Sequence, residues 1–219
     1  MIKKLAIYLA AFLIATWFMT PFVLITLAAL TPPREFYRWP RPIIPSRFTL
    51  ETLHRFIFSY KVLESTLNSI IVALMTIGLS FAIGLPTGYA LARFAFRGKD
   101  LLKLLILTTR MFPIMVAAIP LAVLSIKLGI YDTLIGVAFV HTAMALPFVI
   151  LITSNIFASI PKDFEEAAMT LGASRATAFL KVTMPLALPA LTASAIFTFV
   201  ISWNEVFAAA ILTTLNRTL

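Results

Sequence analysis

Polar residues are scarce in this chain, so each cluster of them raises a chemical question. Glu166 stands beside two alanines, Ala167 and Ala168; Gly172 follows, and Pro185 comes after it. A carboxylate next to two small side chains offers a fixed charge where another backbone can approach closely. That is the chemistry of docking, not of bond making. Two charges stand inside apolar runs, Arg110 in TTRMFPIM and Glu205 in SWNEVF, and each is costly there unless paired or wetted. They read as a pair that lines or gates a polar path, with a purely structural salt bridge as the equal alternative. Trp203, Asn204, Asn155 and Thr142 add candidate path residues along the same runs, although hydroxyls also bond back within their own helices. The two histidines, His54 and His141, stand far apart and cysteine is absent, which argues against a metal cluster and a disulfide framework. His141 reads as a packed helix residue. Nothing matches the G-x-x-x-x-G-K-[ST] phosphate loop, so hydrolysis of a nucleotide is not expected of this chain.

The elements that must position these residues follow from composition. Of 219 residues, 61% are hydrophobic and 12% are charged, about half the charge a soluble domain carries. Lipid is the natural solvent. Helices are then required, because an open strand would leave backbone groups unsatisfied in hydrocarbon. Five apolar runs approach the ~20 residues a span needs: 5–30, 65–93, 101–126, 133–158 and 182–213. The first exceeds a signal peptide's apolar core, so it reads as a span. Prolines 21, 86, 113, 120, 147, 185 and 189 fall in these runs and are expected to kink or break turns. The net charge of +9 lies at the ends of the runs and forms no continuous basic face, which excludes nucleic acid as a partner. Segments 3–4, 93–103 and 162–181 hold nine Lys and Arg against six in 31–62. By the positive-inside bias, the N-terminus and 159–181 are expected in the cytoplasm and 31–62 outside, its proline-rich first half extended.

Between the fourth and fifth runs lies the most polar stretch, DFEEAAMTLGASRATAFLKVTMP. Ser159 and Pro161 suit a helix start, and Asp163, Glu165 and Glu166 would sit at the positive end of its dipole. Ile160, Phe164, Ala167, Ala168 and Leu171 recur at helical spacing. Gly172 would end that helix in a left-handed cap, and Ser174 would open a second one. The result is a helix–glycine–helix elbow at the membrane surface. An interfacial turn that only lets spans pack would carry the same pattern.

Glu166-Ala167-Ala168, three residues, Gly172, nine residues, then Val182-Thr183-Met184-Pro185 resembles the EAA loop of binding-protein-dependent ABC importer permeases. Val182 and Met184 stand where that pattern has isoleucine and leucine. IPLAVLSIKLGIYDTLIGV (119–137) and SWNEVF (202–207) resemble the carbohydrate-uptake branch, its MalG-like subunit in particular. The resemblance implies an all-α polytopic bundle of the type I importer permease kind over 1–219, with cytoplasmic coupling helices. Six spans are usual in that family and five are seen here. It implies a multi-pass subunit of the cytoplasmic membrane and not an enzyme. A dimer of ABC ATPase subunits would bind ATP and Mg, leaving this chain without a cofactor; a second, MalF-like permease and an external solute-binding protein would complete the importer. Glu165, Glu166, Ala167, Ala168, Gly172 and Pro185 would couple it to the ATPase, with lipid around it and a sugar as cargo. A non-sugar solute is the alternative within the family. A secondary transporter working without ATP is the alternative outside it, and would need a coupling carboxylate or related repeats; a passive membrane anchor fits the buried charges least.

Overall fold

The computed structural model describes residues 2–40 and 42–214, and every regular element among them is helical. The chain divides into two compact units, Met1–Glu64 and Ser65–Leu219.

The first unit opens with α1, Ile2–Ala29, apolar on all sides beyond Lys3 and Lys4 and with none of its described side chains buried. Its hydroxyls do not break that apolar surface. Thr16, Thr20 and Thr26 donate to the carbonyls of Phe12, Thr16 and Phe22 at 2.9, 2.8 and 2.8 Å, which satisfies each within the helix. The proline-rich segment after it holds one helical turn, α2 (Pro33–Phe36), and then runs irregularly, as its prolines dictate. Glu35 accepts from the backbone N–H and the hydroxyl of Ser46; those hydrogen bonds hold its carboxyl below the ordinary value. The helix α3, Glu51–Ser59, is tied back by the Thr52 hydroxyl, which donates to the Thr31 carbonyl at 2.6 Å.

The second unit is built on α4 (Val62–Arg93), α7 (Leu134–Ser159) and α10 (Met184–Asn204), with α5 (Lys99–Thr109), α6 (Ile114–Lys127), α8 (Asp163–Thr170), α9 (Arg175–Ala178) and α11 (Phe207–Leu212) between and after them. A π-helical stretch, Phe179–Thr183, joins α9 to α10. Among the described residues, four stretches are long and apolar enough to cross a membrane: Lys3–Ala29, Val62–Arg93, Leu134–Ser159 and Arg175–Asn204. Two cores hold the second unit. One packs Val72 of α4 on Val137, Ala138 and Val140 of α7 and on Ala208, Ala209 and Leu212 of α11. The other gathers Tyr89, Phe157, Ala187 and Leu191, with the rings of Tyr89, Phe157 and Phe179 in mutual contact at centroid distances of 4.4 to 5.8 Å.

The third expected span, 101–126, is not one helix. It is split into α5 and α6, of 11 and 14 residues, each too short to cross ~30 Å of hydrocarbon. Pro113 stands at the break, where its missing N–H is no loss and the residue before it is biased away from helix; it caps α6 with φ −64° and ψ 130°. The fifth run, 182–213, also breaks. α10 ends at Asn204, Glu205 turns extended (φ −87°, ψ 94°), and α11 follows. By contrast Pro21, Pro86, Pro120, Pro147 and Pro189 lie within continuous helices. Ser159 does not cap α8; it ends α7 and its hydroxyl donates to Ile156 O at 2.7 Å.

The crossing of α4 and α7 rests on two glycines one turn apart in GLPTG, small residues that let helices meet closely. A Cβ on Gly84 would lie 2.6 Å from Val149 Cγ1, and one on Gly88 would meet the Thr153 hydroxyl and lie 2.9 Å from the Ser154 backbone nitrogen. Gly88→Ala is therefore expected to lower stability by roughly 1–3 kcal/mol through overpacking. Gly78→Ala, with nothing within 4 Å of its Cβ, should gain up to about 1 kcal/mol of helix propensity. Thermal unfolding in detergent compares the two; a Gly88→Ala protein as stable as wild type would show that close approach does not hold this crossing.

Candidate functional site

Glu165 and Glu166 are neighbours in sequence and about 100° apart around α8, and this angle separates their roles. Glu166 points outward and is exposed. Glu165 is 4% exposed and lies in a network that four parts of the second unit supply. Arg93, the last residue of α4, gives its Nε to Glu165 Oε1 at 2.7 Å. Tyr89, one turn earlier, donates its hydroxyl to Oε2 at 2.7 Å. Thr183, from the π-helical stretch, donates to Oε1 at 2.7 Å. Arg93 also donates Nη1 to Phe157 O at 2.7 Å and Nη2 to Ile160 O at 3.1 Å. Those carbonyls lie at the C-terminal end of α7, where helix geometry leaves acceptors unpaired and the dipole favours a cation.

A buried ion pair is tolerable when its groups find further hydrogen-bond partners, and here each guanidinium nitrogen and each carboxylate oxygen has at least one. Burial by itself would raise the Glu165 carboxyl, but the bonds from Thr183, Tyr89 and Arg93 and the guanidinium charge outweigh it and hold the group below the ordinary carboxylate range. The π-helical stretch has a part in this. Its wider turn carries an extra residue relative to an α-helix, and Thr183 lies fully buried within reach of Glu165.

The outer face of the elbow is left free by this anchoring. Glu166, Ala167, Gly172 and Pro185 are exposed, Ala168 is half-buried, and Phe164, Leu171 and Leu180 present apolar side chains, with Leu171 89% exposed. Gly172 holds φ +92°, a backbone state in which glycine alone is unstrained, and its N–H donates to Met169 O at 3.0 Å. Ser174 caps α9, its Oγ accepting from Thr177 N at 3.2 Å. The expected helix–glycine–helix form is present.

The other sequence candidates are not gathered in one place. Arg110 caps α5 at the break, with its guanidinium 3.3 Å from the centre of the Phe148 ring, against a cavity of about 400 Å³ bordered by Thr109, Phe112, Met144 and Pro147. Glu205 turns its Oε1 to Ala208 N at 2.9 Å and so starts α11. Among the described residues no ion pair joins Arg110 to Glu205; the expected pairing is replaced by a cation–π contact for one and a helix cap for the other. Thr142 bonds back to Ala138 O at 2.7 Å, Asn204 to Val200 O at 2.9 Å, and Asn155 is exposed. Trp203 stacks on Phe199 with centroids 5.5 Å apart. Trp203 and Glu205 do share a smaller cavity, with His141 and Ser202. The anchoring role of Arg93, Tyr89 and Thr183 escaped the sequence reading. The available signal was a tyrosine and an arginine one turn apart at the end of an apolar run.

Residues 84–219 match the family described as binding-protein-dependent transport system inner membrane component. Over 172 residues the chain is 38% identical to the trehalose transport system permease protein SugB of Mycobacterium tuberculosis, an overlap covering 78% of this chain and 62% of that protein. It is 30% identical over 213 residues to the osmoprotective compounds uptake permease protein GgtD of Synechocystis, covering 94% of this chain and 72% of that one. The matched stretch of this chain thus spans 62% of the first relative's length, less than two thirds, and 72% of the second's. Its fold superimposes on a chain of a bacterial ABC transporter involved in the import of the acidic polysaccharide alginate, with a TM-score of 0.83, 24% identity, and coverage of 99% of this chain and 76% of the other.

The network makes a testable demand on stability. Glu165→Gln leaves Arg93 buried without its counter-charge and should cost about 3–5 kcal/mol. The double variant Arg93→Met with Glu165→Leu should recover part of that loss. Because the folded carboxyl is held below its ordinary value, its contribution is present at neutral pH and is lost as pH falls through the folded value. Limited proteolysis within 163–183 should therefore begin only below the ordinary carboxylate range in wild type. In Glu165→Gln it should proceed at neutral pH. Equal protection of both proteins at pH 7 would remove the network from its anchoring role.

Proposed function

This chain belongs to the family of binding-protein-dependent transport system inner membrane components, and we propose that it is a permease subunit of an ATP-driven importer whose elbow is the site on which a separate ATPase acts. The reading is carried by one observation: a solvent-facing elbow bearing Glu166, Ala167 and Gly172 is fixed to the long helices from beneath by a buried charge network. A lever has to be stiff to pass on a displacement. A floppy loop absorbs a push, whereas packed elements move as a body.

In this reading 159–181 faces the cytoplasm and 31–62 the outside. Two copies of an ABC ATPase bind ATP and Mg, and their closure pushes on Ala167, Ala168 and Gly172 while Glu166 meets a basic side chain. The displacement passes through Glu165 and Arg93 to the ends of α4 and α7, and through Thr183 to α10, so the three helices tilt together. A second permease subunit completes the pathway and an external binding protein delivers the solute. The named function of the trehalose relative and the saccharide cargo of the structurally similar importer support a sugar as the solute. The relative named for osmoprotective compounds favours a small compatible solute as the second reading.

Glu166→Lys and Gly172→Pro should insert normally and yet cut uptake by roughly tenfold or more, the factor that about 1.4 kcal/mol of lost docking energy represents. The chain has no cysteine, so Ala167→Cys supplies a single label. It is expected to react with an impermeant maleimide from the cytoplasmic side only, and to be shielded when the ATPase is bound. Labelling from outside the cell, or undiminished uptake by both variants, would overturn the reading.

A further inference from the structure

Between the first two long helices the chain places α3, and its residues divide by face. Leu53, Phe56, Ile57 and Tyr60 recur at three- and four-residue spacing, the period of one helical face. Glu51, Arg55 and Ser59 follow one another at every fourth position. At 3.6 residues per turn, that row lies roughly 150° around the axis from the apolar one. The polar row is closed on itself, since Arg55 Nη2 donates to Glu51 Oε1 at 2.9 Å. The apolar row has no such closure. No residue of α3 is buried, Phe56 and Tyr60 are 54% and 71% exposed, and their ring centroids are 6.4 Å apart. Phe58 falls outside this row and packs on His54, with centroids 4.5 Å apart.

What covers the apolar row follows from where the helix is fastened. The Thr49 N–H donates to Leu30 O at 2.9 Å, and the Thr52 hydroxyl donates to Thr31 O. Those carbonyls lie just past the C-terminal end of α1, a helix long and apolar enough to cross a membrane. At its other end α3 is followed only by Tyr60 and Lys61 before α4 begins, and α4 is a second such helix. A segment tied to the end of one span and continuous with the start of the next lies at the edge of the hydrocarbon. That is the layer in which an amphipathic helix buries its apolar side among headgroups and upper acyl chains. Tyrosine favours the same layer, because its ring is apolar and its hydroxyl is not. We propose that α3 is an interfacial helix whose row of Leu53, Phe56, Ile57 and Tyr60 rests in the phospholipid surface and holds the segment between α1 and α4 to it. The inference goes beyond the importer reading and depends neither on an ATPase nor on which side of the membrane this segment faces.

The absence of cysteine allows nitroxide labels to be placed one at a time in the full chain, in the assembly in which it purifies, reconstituted in liposomes of phosphatidylethanolamine and phosphatidylglycerol. In Leu53→Cys, Phe56→Cys and Ile57→Cys, label collisions with oxygen, which dissolves in acyl chains, should exceed those with a water-soluble nickel chelate several-fold. In Glu51→Cys, Arg55→Cys and Ser59→Cys the ratio should reverse. A parallel measurement needs no substitution: a phospholipid with a photoactivatable acyl chain should leave adducts on the apolar row of the wild-type chain as well as on α1. Chelate collisions that dominate at every position overturn the proposal. Labels on the apolar row that neither reagent reaches do the same, because they place a protein partner where lipid is expected. Adducts on α1 with none in 51–60 overturn it as well.

Discussion

A guanidinium and a carboxylate can share a dry interior only if each finds enough partners to replace water. In this chain the Arg93–Glu165 pair meets that condition by drawing on four separated segments: the end of α4, the end of α7, the start of α8 and the π-helical stretch before α10. None of the four supplies enough on its own. The condition therefore works as a geometric constraint, because moving any one segment leaves a buried charge or donor exposed to an apolar surrounding. Around this point the rings of Tyr89, Phe157 and Phe179 pack against one another, an apolar surrounding in which electrostatic interactions are stronger than in water.

The same constraint explains why two adjacent glutamates behave differently. The helix turn sends Glu165 inward, where its charge is spent on anchoring, and Glu166 outward, where its charge stays available to a partner. Positive φ at Gly172 then sets the angle at which the second piece of the elbow returns to the long helices. The buried Glu165 and the exposed Glu166 project from one eight-residue helix about 100° apart. A displacement of one is a displacement of the other.

Helix breaks obey a related rule. At Arg110–Pro113 and at Glu205 the backbone leaves helical geometry, and both sites border cavities. Charged residues stand at each break and are satisfied locally, Arg110 by the face of Phe148 and Glu205 by the N–H of Ala208. The charges that hydropathy flags inside apolar runs thus mark where those runs stop being continuous helix.

Much was legible from sequence because it depends on local chemistry. The all-helical fold follows from a chain too apolar for water whose backbone must satisfy itself. The elbow follows from spacing, with Ser174 and Gly172 acting through their own backbone neighbourhood. The families that the residues around Glu166 and Trp203 resembled agree with the match over 84–219. What tertiary structure alone decided is which residues meet across long separations. Arg93 finds Glu165 72 positions away, and His141 finds Ser202 61 positions away. No periodicity encodes such a meeting. It also decided which of the prolines in the apolar runs ends a helix: the chain breaks before Pro113 while Pro21, Pro86, Pro120, Pro147 and Pro189 stay within continuous helices. A sequence shows what each residue prefers; only the folded chain shows which buried group had to be answered, and by whom.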